Sequence, residues 1–514
     1  MSIRREKIVI LDFGSQYTQL IGRRVRAHAV FSEILPFSFR LKNLKKDGLK
    51  GIILSGGPHS VYEKGAPLID KSILKLGLPL LGICYGHQLL SYISGGTVEE
   101  TKRREYGYAE VLIDKKDKLL QRIPKRSQVW MSHGDKVLKL PSDFIPLAHT
   151  KNTSFAVVKH KRLPLYGLQF HPEVTHTKMG DRILSNFLFL VCGCRGDWNM
   201  GSFIETGKRE IKKRVKKGRV ILGLSGGVDS TVTSILIKQS IGEKLFVIFI
   251  NNGFLREGES SNVIKNFQRV FGNNFIYVDA EEEFLEALKG VKDPERKRKI
   301  IGNIFIKVFE REAKKIKGIT FLAQGTLYPD RIESMPLKGP SSIIKSHHNV
   351  GGLPEKMHLK LIEPLKDLFK DEVREVGRLL SLPKHCISRH PFPGPGLGVR
   401  IIGEITKKRL KILREADSIF IEEIKKTGLY KKIWQAFCVL LPVKTVGVMG
   451  DKRTYENVIT LRAVTSEDGM TADWYPFSKG FLTRVCNRII NEVSGVNRVV
   501  YDISSKPPAT IEWE

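Results

Sequence analysis

Twice along the chain an apolar run stops at a glycine-rich turn and a helical pattern begins at once: LPLLGICYGHQLL around Cys84, and RVILGLSGGVDST around Asp229. Such a junction needs a buried strand feeding a helix through a turn too tight for ordinary side chains. It therefore commits each region to strand–helix alternation over a sheet. The first region repeats the pattern in KIVILDFG and GIILSGGP, followed by the hairpin-like YAEVLI and QVWMSHGD and by LYGLQFHPE. That pattern predicts an α/β domain with a largely parallel sheet, closing near Asp197. The second repeats it in LFVIFINNG, NFIYVDAE and GITFLAQGT, a doubly wound pattern whose ligands belong at the carboxyl ends of the strands.

Between the two lies the basic segment FIETGKREIKKRVKKG. Ile204, Ile211 and Val215 share one helical face there, and Gly218 is the expected C-cap. Beyond Arg389, HPFPGPGLG is a Pro/Gly corner that excludes regular structure. Leu413, Ala416, Phe420 and Ile424 then mark an amphipathic helix ending near Gly428. The strand-like runs VKTVGVM and NVITLRAV, a helix over GFLTRVCNRIINEV and the strand NRVVYDIS complete an α+β region. The fold class is thus two doubly wound α/β domains followed by a small α+β domain, with boundaries at residues 1–197, 198–389 and 390–514.

Composition narrows the setting. The 514 residues are 41% hydrophobic and 27% charged, which suits buried cores in about three domains at roughly 150 residues each. The opening MSIRREKIVILDFG runs straight into a strand and predicts no signal peptide, and the apolar runs are too short to span a membrane. Six scattered cysteines, with Cys192 and Cys194 the one close pair, give no metal or disulfide framework and predict a reducing, cytoplasmic setting. The net charge of +32 raises the question of nucleic acid. Its even spread, with no basic tail, favours solvated surface and focusing of anionic substrates instead.

Cys84, between a strand and a helix and flanked by Gly82 and Gly86, has the setting of a nucleophile elbow with sulfur in place of oxygen, and the helix N-terminus favours the thiolate. GLQFHPE ends another strand with His171, and Glu173 follows two residues on. A histidine oriented by a carboxylate is what a cysteine needs to cleave an amide. The backbone N–H groups of Gly57 (in SGGP) and Tyr85 are candidates for an oxyanion hole. A lone buried cysteine is more often structural; the combination of strand-end motifs is what points to catalysis. SGGP, GICYGHQ and FHPE resemble the class I glutamine amidotransferases over nearly the first 197 residues. The resemblance implies hydrolysis of glutamine through a thioester with release of ammonia, and makes Gln88, His133 and Asp135 candidates for glutamine recognition.

Ser225, Gly226, Gly227, Val228, Asp229, Ser230 and Thr231 form the second turn. Backbone N–H groups, hydroxyls and a helix N-terminus make an anion cradle. Its shortness and lack of lysine set it apart from the GxxxxGK[ST] loop and suit a departing pyrophosphate. SGGVDS resembles the loop of N-type ATP pyrophosphatases, which implies adenylation of an acceptor oxygen followed by displacement of AMP. Mg²⁺ is expected to arrive with ATP, with Asp229 a candidate to meet it; no prosthetic group is expected.

The acceptor is read from three further strings. GTLYPDRIES with IKSHHNVGGLP resembles the lid of the GMP synthase family, implying lid roles for Asp330, Glu333 and Lys345. The adjacent histidines lack a third ligand and are not read as a metal site. SRHPFPGPGLGVR puts Arg389 at a rigid corner suited to phosphate. KPPATIEWE is a proline-stiffened tail read as docked rather than frayed, and the family resemblance implies that Lys506 and Glu512, with Arg256 as a further candidate, contact XMP. It also implies ammonia passing between the first two domains and a homodimer formed through the third. One departure stands out: Asn251, in FINNG, occupies a position that is usually acidic in the family.

The reaction expected is amination of XMP to GMP with ATP and glutamine, through an adenyl-XMP intermediate. Two alternatives remain open at this point. An RNA-modifying pyrophosphatase would account for the charge but leaves the glutaminase motifs idle. A non-enzymatic nucleotide sensor is disfavoured by the completeness of both motifs.

Overall fold

The computed structural model describes residues 6–333, 359–466, 469 and 471–514. The described residues fall into two compact units: residues 6–203 with 329–333, and the remainder.

In the first unit the strands are β1 (Lys7–Asp12), β2 (Phe31–Pro36), β3 (Leu49–Leu54), β4 (Leu80–Ile83), β5 (Thr97–Ile113), β6 (Arg126–Lys139), β7 (Phe144–His149), β8 (Val157–His160) and β9 (Leu165–Leu168). They join one sheet in the order β2-β1-β3-β4-β9-β8-β7-β5-β6. From β2 to β9 neighbours are parallel; from β9 to β6 they are antiparallel. The sheet is therefore mixed, where the sequence predicts a largely parallel one. From β6 to β9 the chain returns through short turns that cannot carry parallel crossovers. β4 is buried along its whole length and sits between parallel neighbours. Its register with β9, Ile83 opposite Leu168, brings the residues after each strand to the same sheet edge.

The second unit begins within the helix Met200–Val215, on which Ile204, Ile211 and Val215 are buried, as their spacing predicts. Gly218 is not its cap: Lys216 takes the positive φ of 50°. Gly218 serves close packing instead, since a Cβ there would lie 2.3 Å from Thr320 Oγ1. Strands β10 (Arg219–Leu224), β11 (Leu245–Asn251), β12 (Phe275–Asp279), β13 (Ile319–Ala323) and β14 (Lys360–Ile362) form a parallel sheet in the order β12-β11-β10-β13-β14. The chain winds outward one way from β10 and then restarts on its other side at β13. The crevice of this switch point opens at the carboxyl end of β10.

Helix Lys407–Lys426 follows, buried along Leu410, Leu413, Ala416, Phe420 and Ile424, with the Thr406 hydroxyl accepting from Arg409 N at its N-cap. It packs on β15 (Gln435–Met449) and β16 (Lys452–Thr465), an antiparallel pair. β16 also pairs with β17 (Asp473–Trp474) and, in parallel, with β18 (Val496–Tyr501). This layer shares one continuous core with the parallel sheet, running from Ile221, Phe254 and Phe309 to Leu413, Leu440 and Val496. At the join, Leu397 N donates to Phe254 O, and Gly396 (φ 62°) passes so close that a Cβ would lie 2.3 Å from that oxygen.

Candidate active sites

The elbow after β4 is built by exclusion. A Cβ on Gly82 would lie 2.4 Å from Gly86 O, and one on Gly86 would lie 2.4 Å from Leu54 O. Strand, turn and helix Tyr85–Ile93 are thus in backbone contact, and Cys84 is forced to φ 52°, a strained value for a residue with a side chain. Cys84 N donates to Leu168 O at 2.7 Å, so the nucleophile is tied to the strand that delivers the histidine. His171 stands three residues beyond Leu168, with Nδ1 2.7 Å from Glu173 Oε1. That bond leaves Nε2 for the sulfur. Burial pulls the His171 pKa down, but the Glu173 carboxylate and the Cys84 sulfur outweigh it and hold it well above the usual histidine range. Glu173 is fully buried, and its Oε2 has no hydrogen-bond partner among the described residues, so its charge is directed at His171. Tyr17 packs edge-on against the imidazole at 5.1 Å.

The SGGP turn adjoins this group. A Cβ on Gly56 would lie 3.1 Å from His171 Cε1, and one on Gly57 would meet Phe13 O at 2.7 Å and the Tyr85 ring at 3.3 Å. Gly57 and Tyr85, the two candidate oxyanion donors, are therefore neighbours. On the other side, Ser132 O is 3.6 Å from Cys84 Sγ. Gln88 Nε2 donates to Asp135 O at 2.8 Å, His133 Nδ1 is 2.9 Å from the same oxygen, and Tyr62 OH donates to Asp135 Oδ1 at 3.1 Å. Gln88, His133 and Asp135 thus come together beside Cys84. Sequence pattern does not single out Tyr17, Tyr62, Gln169 or, above all, Glu105, whose carboxylate binds His133, Thr150 and Thr153.

At the second site the loop closes on itself. Gly226 takes φ 72°, Ser225 Oγ and Ser230 Oγ are 2.9 Å apart, Gly227 N donates to Ser225 Oγ at 3.2 Å, and helix Val228–Ile241 starts immediately. Asp229, in its first turn, pairs with Lys370, a residue that no motif marks. Gly325, after β13, is packed so that a Cβ would lie 3.1 Å from the Asp229 backbone. Arg389 reaches the same loop: its Nη1 donates to Gly226 O at 3.0 Å and its Nη2 pairs with Glu259. Asn251 donates to Asp279 Oδ1 at 3.2 Å, its register partner on β12.

Around the ring of Phe392 the guanidinium groups of Arg256, Arg389 and Arg400 stand at 5.3, 5.5 and 5.1 Å, each held by its own carboxylate. Arg256 pairs with Asp417 at 3.1 Å and donates to Ala436 O. Buried Arg400 grips Glu512 through Nε at 3.1 Å and Nη2 at 2.8 Å, and Gln435 donates to the same carboxylate at 2.6 Å. The tail is docked, as its composition predicts. Arg462 donates to the carbonyls of Ser504, Thr510 and Ile511, Lys506 Nζ donates to Gly469 O at 2.7 Å, and buried Lys297 holds Glu514 at 2.6 Å. Asp330 and Glu333 lie on helix Tyr328–Glu333; Lys345 lies outside the described residues. No group of three or more metal-ligating side chains occurs among the described residues, and no described helix is long and apolar enough to cross a membrane.

Fold and sites together define a glutamine amidotransferase joined to an ATP-pyrophosphatase ligase. Comparison with known proteins agrees region by region. Residues 9–191 match the family described as glutamine amidotransferase class-I, 203–305 that described as NAD synthase, and 422–513 the GMP synthase C terminal domain. Over full length the chain is 58% identical to the GMP synthase [glutamine-hydrolyzing] of Aquifex aeolicus, covering 100% of both chains. It is 56% identical to that of Brachyspira hyodysenteriae, with 99% of each covered, and 55% identical to that of Wolinella succinogenes, with 99% and 98% covered. The chain belongs to the glutamine-hydrolysing GMP synthases. It is a ligase that aminates XMP to GMP, with ATP as co-substrate and glutamine as the source of ammonia.

Proposed function

We propose that the chemistry divides between the two sites as follows. The Cys84 thiolate adds to the side-chain carbonyl of glutamine, and the N–H groups of Gly57 and Tyr85 receive the oxyanion. His171, oriented by Glu173, gives its proton to the departing nitrogen; ammonia leaves and a thioester remains on Cys84. Water, its proton taken by His171, then releases glutamate. Gln88, His133 and Asp135 hold the rest of the glutamine.

At the second site residues 225–231 hold the β- and γ-phosphates of ATP. O2 of XMP attacks the α-phosphorus, pyrophosphate leaves, ammonia adds at C2 and AMP departs. Asp229 is a single carboxylate at the loop, and Mg²⁺ carried by ATP needs few protein oxygens because phosphate and water supply the others, so the donor set fits. When bound, that ion would neutralise charge on the phosphates. Asp330, Glu333 and Lys345 serve as lid residues, and Arg256, Arg389, Lys506 and Glu512 as contacts for XMP; the convergence of Arg256, Arg389 and the Arg400–Glu512 pair on Phe392 supports a common pocket.

Domain limits at 1–197, 198–389 and 390–514 follow this division. Val443, Val446 and Val448, exposed on β15, suit contact with a second copy of the chain, supporting a homodimer through the C-terminal region. Six free cysteines support a cytoplasmic setting.

The observation that carries the reading is the Cys84–His171–Glu173 alignment across β4 and β9. The test is incubation with ATP, Mg²⁺ and glutamine, offering XMP or IMP as acceptor. GMP and AMP should form one for one with XMP; AMP without GMP would overturn the reading.

A further inference from the structure

We propose that Glu105 is a positioning residue for glutamine, acting through His133 to fix the strand segment that faces both Cys84 and Gln88. The inference rests on the reading of Gln88, His133 and Asp135 as the glutamine pocket and extends it to a residue outside that set.

Glu105 lies on β5 directly opposite His133 on β6. An irregularity between Glu100 and Glu105 resets the β5 register just before it, so its side chain and that of His133 project on one face of the sheet. Both are buried. A carboxylate out of water is costly unless its oxygens are hydrogen-bonded, and here both are. Oε2 accepts from Thr153 Oγ1 at 2.5 Å and lies 3.1 Å from His133 Nε2; Oε1 accepts from Thr150 Oγ1 at 3.0 Å. Burial pushes the Glu105 pKa up, yet the bonds from His133, Thr153 and Thr150 outweigh it and hold the carboxyl below the usual range. The two threonines belong to the turn after β7, closed by Thr150 N donating to Thr153 O at 2.8 Å and Thr153 N to Thr150 Oγ1 at 3.0 Å. One carboxylate therefore joins β5, β6 and that turn.

What it fixes is the wall of the site. With Nε2 on Glu105, His133 is left with Nδ1 on Asp135 O at 2.9 Å, so the ring is anchored at both ends and bridges Glu105 to the backbone. The same Asp135 oxygen takes Gln88 Nε2, while Ser132 O faces Cys84 Sγ. The Ser132 carbonyl and the Asp135 carboxylate along this segment are acceptors suited to the N–H groups of an amino acid, and their spacing from the thiolate decides whether the carboxamide meets the sulfur. An error of about 1 Å in such a wall is costly to a reaction that depends on near-attack geometry.

The test uses full-length Glu105→Gln and Glu105→Asp proteins, assayed for GMP formation from glutamine and, separately, from ammonium. Glu105→Gln presents an amide N–H₂ to groups that already donate. It should raise the KM for glutamine about tenfold or more, the equivalent of one lost charge-assisted hydrogen bond, with a smaller fall in kcat. Glu105→Asp keeps the charge and should recover part of the loss. Ammonium-dependent synthesis should be unchanged in both. An unchanged KM for glutamine, with only thermal stability reduced, would show a merely structural role and overturn the proposal. A parallel loss of ammonium-dependent synthesis would overturn it too. Should Glu105→Gln fail to fold, Thr153→Val removes one bond to the same oxygen and should raise the same KM by a smaller factor; no rise there refutes the role. Asp135→Asn tests the underlying pocket separately: if it leaves the KM unmoved while Glu105→Gln raises it, the assignment of Asp135 fails and that of Glu105 stands.

Discussion

Lys297→Met isolates one buried ion pair at the end of the chain. Lys297 Nζ donates to Ile401 O at 2.7 Å and to Glu514 Oε2 at 2.6 Å, with the lysine side chain fully buried and the Glu514 side chain 7% exposed. Burial pulls the Lys297 pKa down and pushes the Glu514 pKa up, each against its charged form and only partly offset by the partner. By linkage, Glu514 adds folded-state stability below its unfolded pKa that is lost as pH rises through its raised folded value, and lowered Lys297 favours folding toward high pH. At neutral pH, then, the pair carries an uncompensated desolvation cost. Methionine nearly conserves the shape of the lysine but strands a buried carboxylate, so Lys297→Met should destabilise by about 3–5 kcal/mol, or by the free energy of tail docking if release of the tail is cheaper. Lys297→Met/Glu514→Leu removes both charges, and its stability should return to within about 1 kcal/mol of the parent or exceed it. The KM for XMP should stay raised in the double variant, because an apolar contact no longer sets the direction of the tail that carries Lys506 and Glu512. Urea unfolding read by fluorescence, with KM values for XMP and ATP measured on the same preparations, checks both parts. A double variant no more stable than Lys297→Met would refute the stranded-charge argument; a parental KM for XMP in the double variant would refute the registration argument.

Cys84→Ala should abolish GMP formation from glutamine while sparing synthesis from ammonium, measured by GMP release with each nitrogen source. Asp229→Ala should stop AMP formation with both sources, because it removes the one carboxylate in the first turn of the loop helix and the partner of Lys370; nucleotide chromatography reads it. Glu173→Gln should shift the alkaline limb of the glutaminase pH profile to lower pH. The raised His171 pKa keeps the imidazolium, and the stability it contributes below about pH 6.5, present until pH climbs through the raised folded value. Without the carboxylate that loss comes earlier, and an unmoved limb in kcat/KM would refute this account.

The elements legible in the sequence are those whose burial forces a composition. β4 and β10 lie in the interiors of their sheets and are apolar almost throughout. The glycines near Cys84 are required because a Cβ on Gly82 or Gly86 would lie 2.4 Å from a backbone oxygen. The helix Lys407–Lys426 reads clearly because its buried residues recur at helical spacing. β5 is only half visible: its first half, TVEETKRRE, is polar, and its place in the sheet comes from pairing with β6, not from an apolar face. That hidden half is also why the sheet reads as parallel in sequence and is mixed in the structure.

The same limit decides which site residues the sequence reveals. Cys84, His171, Asp229 and the glycine loops stand at strand ends, where motif and geometry coincide. Glu105, Lys297 and Lys370 carry charges in polar segments, Arg400 is a single charge in the apolar run GLGVRIIG, and a chain of net charge +32 offers no reason to single them out. Arg400 and Glu512 are 112 residues apart, and Lys297 and Glu514 are 217 apart, so no local periodicity links them. One sequence signal does exist. A tail that is stiffened by prolines and ends in IEWE must, once docked, place two carboxylates against protein, and a buried carboxylate requires a cation or several donors. A docked tail of this composition therefore implies cations or clustered donors upstream to meet its carboxylates. Composition does not choose among 86 lysines and arginines; only the shared core between the parallel sheet and the C-terminal layer selects Lys297 and Arg400.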